Sequence, residues 1–463
     1  MRKNSLWKAA LLLWITLSVM SCCPGLAEEE MTVSGPDTLK CHTAGTFKVN
    51  APCAGVLKVE IRSKLNPVLM TEETVSAGEN KYVWDGLGAF GEPMEKGEYT
   101  MRFSLKAEKT ENAENEIYET VKTVRLTGRK CALLYALPDG TGVCPGYENR
   151  KLGIEYRLTA PGTFVMELYR DGERVCTLRK DSEGDDHEIY SWNGKMKNGE
   201  DLPAGLYTAR CYAEGNEQYS VSFSLTVKEK EDDPIPLAPT GDIMPRDGMS
   251  DMELWELMQQ PSAVLVDNSN IHAAPEDHAK VIAHFVIQTQ AVEVLEVRDD
   301  GWCRVRANDE KSLTVAEGYT RRENLKMVVP SAEYGILVDK SAQSLTLYRY
   351  GEPVARIPVS TGSPDCETVP GSFFVSRHEG TRFPSEGAWY EYPLRFCHGY
   401  IIHSTGFKYT DDGKDYSKNL PLLGAKASHG CVRVSPFTDE EGSVNMYWLW
   451  THIPFRTRVI ITE

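Results

Sequence analysis

The sequence predicts an all-β, multidomain chain with repeated β-sandwich units in its first half. Three observations lead there. Apolar and polar residues alternate in short runs, such as Leu57-Lys58-Val59-Glu60-Ile61 and Phe164-Val165-Met166-Glu167-Leu168, with Gly, Pro and Asn between them. A set of residues recurs at a constant offset of 108, from Trp84 to Trp192. Tyr82 and Gly86 match Tyr190 and Gly194; Gly91-Glu92 matches Gly199-Glu200; Gly97, Tyr99 and Thr100 match Gly205, Tyr207 and Thr208. One offset held over that many positions signals duplication of a unit. Finally, 463 residues leave room for several domains of ~100–200 residues each.

Taken in order, the elements divide as follows. Residues 1–27 read as a signal peptide: Arg2, Lys3 and Lys8 precede the apolar run Ala9–Met20, and Gly25 and Ala27 suit a peptidase. The run is shorter than the ~20 apolar residues a membrane span needs. Cleavage after Ala27 fits best; lipidation at Cys22 and an uncleaved anchor are the alternatives. Residues 31–128 and 129–228 are the two repeats. Residues 229–260 are a linker rich in charge, Pro and Gly. It ends in a short helix that Ser250 or Asp251 can cap, carrying Leu254, Trp255, Leu257 and Met258 and stopped by Pro261. Residues 261–330 hold Ala263-Val264-Leu265-Val266, Val292–Val297, Gly301-Trp302 and Gly318-Tyr319, again short strands. Residues 331–463 form the last unit.

Net charge is −16, and losing the three cations of residues 1–27 takes it to −19. So acidic a surface argues against nucleic acid and anionic lipid as partners. Ten of the 12 cysteines lie beyond Cys22 and Cys23. Cys41 with Cys53, and Cys131 with Cys144, are spaced like loop staples, although sequence does not settle pairing. Cys176 and Cys211 map onto Val68 and Phe103 of the first repeat, both apolar, so they read as packing thiols. A bridge between these two requires that their strands face each other.

The chemistry concentrates near the C-terminus. Ser428-His429-Gly430-Cys431-Val432-Arg433 follows the strand-like run Tyr400-Ile401-Ile402-His403-Ser404. Cys431 is a candidate nucleophile, since a histidine within reach raises the thiolate fraction of a cysteine. Gly430 lets the backbone approach a carbonyl, with the N–H groups of His429, Gly430 and Cys431 as candidate oxyanion donors. Arg433 can fork onto a substrate carboxylate, and Ser428 can hold the turn. His403 and His429 both compete for the role of base. Cys397, His398, His403, His429 and Cys431 are all soft ligands, but no Cys-x-x-Cys pair is present, so no metal or other cofactor is expected.

The ordered motifs resemble the YkuD-type catalytic domain of L,D-transpeptidases. The resemblance rests on His403-Ser404 and Ser428-His429-Gly430-Cys431. Upstream it rests on Ile336–Asp339, Ser341–Tyr348, Pro358–Gly362 and Gly371-Ser372-Phe373. It implies that Cys431 is the nucleophile and His403 the proton donor and acceptor, with the Ser404 carbonyl orienting the ring. It implies peptidoglycan stem peptides as donor and acceptor, and acylation by carbapenem β-lactams. Two departures stand out: a long polar connection from Gly406 to Ala427, and a shuffled Glu367-Thr368-Val369-Pro370-Gly371. Trp389, Tyr390 and Tyr392 can line a groove or pack in the core. Residues 261–330 resemble a bacterial SH3-like barrel, which would bind cell-wall glycan. The repeats resemble the Ig-like domain of flagellar hook-capping proteins.

The expected architecture is therefore two Ig-like β-sandwiches, an SH3-like barrel and a β-rich catalytic domain. The expected function is an exported enzyme, secreted or held in the cell envelope, that cross-links peptidoglycan through a cysteine thioester. The alternatives are an L,D-carboxypeptidase-type hydrolase on the same residues, or a non-catalytic wall-binding protein.

Overall fold

The computed structural model describes residues 30–107, 117–140, 142–145, 151–184, 188–228, 236–266, 269–285, 289–309, 314–437 and 444–463. The signal-peptide and lipidation expectations lie outside these residues. The described chain is overwhelmingly strand, with helices at Asp251–Gln259 and Met446–His452. The all-β, multidomain expectation holds.

Each of the first two units pairs a three-stranded with a five-stranded sheet around one core. The repeated residues explain themselves here. Trp84 and Trp192 are buried, and each indole N–H donates to the carbonyl three residues on, Leu87 and Lys195, at 2.9 Å. Tyr99 and Tyr207 each donate their hydroxyl to the carbonyl four residues back. Cys211 and Cys176 pair with Met166 and Leu168, on opposite sides of the strand Gly162–Arg170. With a strand between them and a two-residue offset along it, they stand more than two strand spacings, over ~9 Å, apart and pack as buried thiols. The Cys41 thiol donates to the Gly86 and Met94 carbonyls at 3.1 and 3.0 Å, and Cys131 to Ala160 at 3.3 Å.

A seven-stranded sheet follows between Ser262 and Val328. The helix before it has Ser250 as its N-cap, in a reciprocal bond with Glu253. Arg458 joins this region to the last unit. Though buried, its guanidinium donates to Met258 O, Gln260 O, Ser262 Oγ and Ser372 Oγ.

Among its described residues the C-terminal unit contains thirteen strands: β1 Tyr334–Asp339, β2 Ser344–Arg349, β3 Glu352–Ser360, β4 Gly371–Phe374, β5 Arg377–His378, β6 Arg382–Ser385, β7 Ala388–Glu391, β8 Leu394–Cys397, β9 Tyr400–Ser404, β10 Lys408–Thr410, β11 Gly413–Asp415, β12 Val432–Val434 and β13 Arg458–Thr462. Nine of them make one mixed sheet in the order β4-β13-β1-β2-β3-β12-β9-β8-β5. β12 and β9 are parallel neighbours, and this brings the two motif segments together. The helix Met446–His452, capped by Asn445, packs Trp450 into the core. That core extends into the second unit through Tyr135 and Leu137. Glu155 of that unit accepts from Tyr135 at 3.3 Å and meets His378 Nδ1 at 3.0 Å.

Candidate active site

The β9–β12 register builds the site. Ile402 pairs with Val432 and His403 with Arg433. Side chains alternate along each strand, so His403 and Arg433 share a face with Cys431, two residues before Arg433. The intervening Ile402 and Val432 point into the opposite core and are fully buried.

His403 is locked in place. Its Nδ1–H donates to the Ser404 carbonyl at 2.7 Å, which leaves Nε2 as the nitrogen able to take a proton. The rings of Tyr390 and Phe383 meet it edge-on at 4.8 and 5.4 Å. Burial pushes its pKa down to about 3; the Ser404 bond works against this and the Arg433 charge adds to it. Burial likewise pushes the Cys431 thiol up, against the Ile401 backbone, Arg433 and Arg395, which favour the thiolate. The resting pair is thiol and neutral imidazole. The thiolate expected from a neighbouring histidine is not preformed, because desolvation outweighs the nearby cations.

Arg433 is no surface residue. It is 6% exposed, donates Nη1 to Ala427 O at 3.1 Å and lies 5.6 Å above the Tyr390 ring. Its Nε is buried with no partner. Such a donor calls for an anion or a polar group beside it.

Ser428 holds the turn as expected: its hydroxyl donates to Cys431 O at 2.5 Å and accepts from Gly430 N at 3.1 Å. Gly430 sits at φ +107, and a Cβ there would stand 2.7 Å from Tyr400 Cε1. Only glycine fits. Its N–H is committed to Ser428, so as an oxyanion donor it would have to release that bond. His429 lies at the pocket that Arg433 also lines. It is exposed, and its Nδ1 lies 3.0 Å from Glu386 Oε2.

Sequence reading missed Thr368. Its buried hydroxyl accepts from Gly362 N at 2.9 Å and donates to Gly430 O at 2.7 Å, so the shuffled loop directly supports the catalytic turn. Ser363 N donates to Ser428 O, and Ser428 N to Thr361 O, both at 2.9 Å. Thr368→Val should cost roughly 1–3 kcal/mol for each buried group left unpaired. Denaturant unfolding of the full chain measures that cost, and an unchanged midpoint would contradict the role. Of the three aromatics, Tyr390 flanks His403, Tyr392 packs on Tyr447 and Trp450, and Trp389 contacts Tyr409. Among the described residues, no three His, Cys, Asp or Glu side chains gather as a metal site.

Residues 333–461 match the YkuD family, the L,D-transpeptidase catalytic domain. The C-terminal unit belongs to that family. The L,D-transpeptidase domain is also similar to a protein of Bacillus subtilis (strain 168) that bears the name "Putative L,D-transpeptidase YciB". The two are 34% identical over 102 residues, 21% of this chain and 48% of YciB. The chain thus spans about half the length of that curated relative. Among solved structures, an L,D-transpeptidase from Xylanimonas cellulosilytica DSM 15894 is 25% identical over 28% of this chain and 61% of its own, with a TM-score of 0.22. One from Mycobacterium tuberculosis H37Rv is 14% identical over 44% of this chain and 99% of its own, at 0.25. At these TM-scores the structural likeness adds no weight; the family match and the motif geometry do.

Proposed function

We propose that the chain is an exported L,D-transpeptidase that cross-links peptidoglycan stem peptides outside the cytoplasmic membrane. The observation that carries this is His403. It is held by the Ser404 carbonyl, with Nε2 free, on the strand beside Cys431. Nε2 takes the thiol proton as sulfur bonds to the carbonyl carbon of the donor's third residue. The C–N bond to the terminal D-alanine breaks, and His403 returns the proton to the leaving amine. An acceptor amine then attacks the thioester and passes a proton to His403; the C–S bond breaks, and His403 returns that proton to the sulfur, restoring thiol and neutral imidazole.

Arg433 suits the donor carboxylate, since it carries a buried unpartnered Nε beside a pocket of about 270 Å³. That carboxylate role predicts that Arg433→Lys weakens donor use, because lysine lacks the planar fork. The SH3-like and Ig-like units would bind or span wall glycan and set the reach of the domain. An N-terminal signal would deliver or anchor the chain in the envelope. Mass spectrometry of products from purified tetrapeptide stems tests the reading. Cross-linked dimers with released D-alanine are expected. Tripeptide alone would make the enzyme a hydrolase, and unchanged stems would make the domain non-catalytic.

A further inference from the structure

A cluster of charges lies between the first β-unit and the hairpin β10–β11, and the reaction above does not use it. Lys414, on β11, places Nζ 2.7 Å from Glu391 and 3.3 Å from Glu95 of the first unit. The Glu95 carboxylate also takes the Tyr409 hydroxyl at 3.3 Å and Arg382 at 3.5 Å. The same hairpin is held at two more points. Asn66 Nδ2 donates to Lys414 O at 2.9 Å, and Lys64 lies 3.0 Å from Asp412. The Lys64–Asp412 pair is exposed and contributes little. The Lys414 centre is different. Its side chain is 19% exposed and that of Glu391 is 7%, so removing a partner strands a charge in a poorly solvated place.

Two routes lead from this cluster to the site. Glu391 ends β7, and its carboxylate accepts the Tyr416 hydroxyl at 3.0 Å. Its backbone N–H donates to Ser404 Oγ at 2.8 Å, and Ser404 is the residue whose carbonyl fixes His403. Along the second route, Lys408, Asp415 and Asn419, around the same hairpin, line the 270 Å³ pocket across from Glu386 and His429.

We propose that Glu95 and Lys414 are positioning residues: the first β-unit clamps the β10–β11 hairpin, and through it sets both the pocket wall and the orientation of His403. The unit is then part of the active site's architecture and not only a spacer. This rests on Cys431 and His403 being the site of acyl transfer.

The test uses the full chain without its leader. Acylation of Cys431 by a carbapenem is followed by intact mass, across pH, for the wild type, Glu95→Gln, Lys414→Met, Lys414→Arg and the Glu95→Gln/Lys414→Met double variant. Lys414→Met should slow acylation roughly ten- to a hundredfold at saturating drug, the scale of a small misplacement of a catalytic group. Glu95→Gln should slow it less. Lys414→Arg should restore most of the rate, and the double variant should be no slower than Lys414→Met alone, because both act through one contact. A looser His403 should also bring a fall in rate below about pH 6.5, the ordinary imidazole value, in Lys414→Met and the double variant, a smaller one in Glu95→Gln, and none in Lys414→Arg. If Lys414→Met fails to fold, the part-exposed Glu95 still decides. A folded Glu95→Gln protein that acylates at the wild-type rate and pH profile overturns the coupling. A wild-type protein that forms no adduct overturns the proposed function, and the coupling with it.

Discussion

Cys431→Ala is expected to abolish cross-linking of stem peptides while leaving the fold intact. Every covalent step proposed runs through that sulfur, so no partial activity should survive. Structurally the change is small. Cys431 is half-buried at the head of β12, and the turn is held by Ser428 Oγ, Thr368 Oγ1 and the β9–β12 ladder, none of which uses the thiol. Product analysis paired with a thermal melt separates the two effects. Dimers formed by the folded Ala variant would rule out a thioester at this residue.

His403→Ala should slow acylation by ~10²–10⁴, the usual range for loss of a general base, and His429→Ala far less. His403 is buried, ring-packed and oriented by Ser404; His429 is exposed and faces Glu386. The pH profile adds an independent reading. With His403 held down to about 3 and the Cys431 thiol pushed up, neither group changes protonation in the ordinary working range. The wild-type rate should therefore stay flat between about pH 5 and 8. A rate that falls as pH drops through the normal imidazole range would contradict a neutral buried His403. A larger loss at His429 would reverse the two roles.

Much of this was legible in the sequence, because it is written in short-range pattern. The 108-residue offset marks two sandwiches whose Trp and Tyr make the same bonds in each copy. The strand-like run Tyr400–Ser404 carries His403, whose role as base follows from the family resemblance, and the Ser-His-Gly-Cys segment supplies Cys431. What sequence could not supply is what lies across space. The Thr368 hydroxyl reaches Gly430 over 62 residues, and Glu95 reaches Lys414 from another unit. Nothing local marks either contact. Burial was also illegible. A histidine two residues from a cysteine suggests an activated thiolate, yet desolvation sets the resting pair neutral, and nothing in the sequence marks Arg433 as enclosed.

If Cys431 is the acylatable nucleophile, it can be captured covalently. The reduced, folded chain is treated with a carbapenem, whose strained ring offers a carbonyl for the thiol to open, then weighed intact and digested for peptide mapping. One added drug mass is expected, on the peptide holding Cys431. Exposed Cys366 should stay unmodified because it lacks the site, and Cys397, fully buried beside His398, because nothing reaches it. No adduct, or an adduct on Cys366 or Cys397 in place of Cys431, would contradict it.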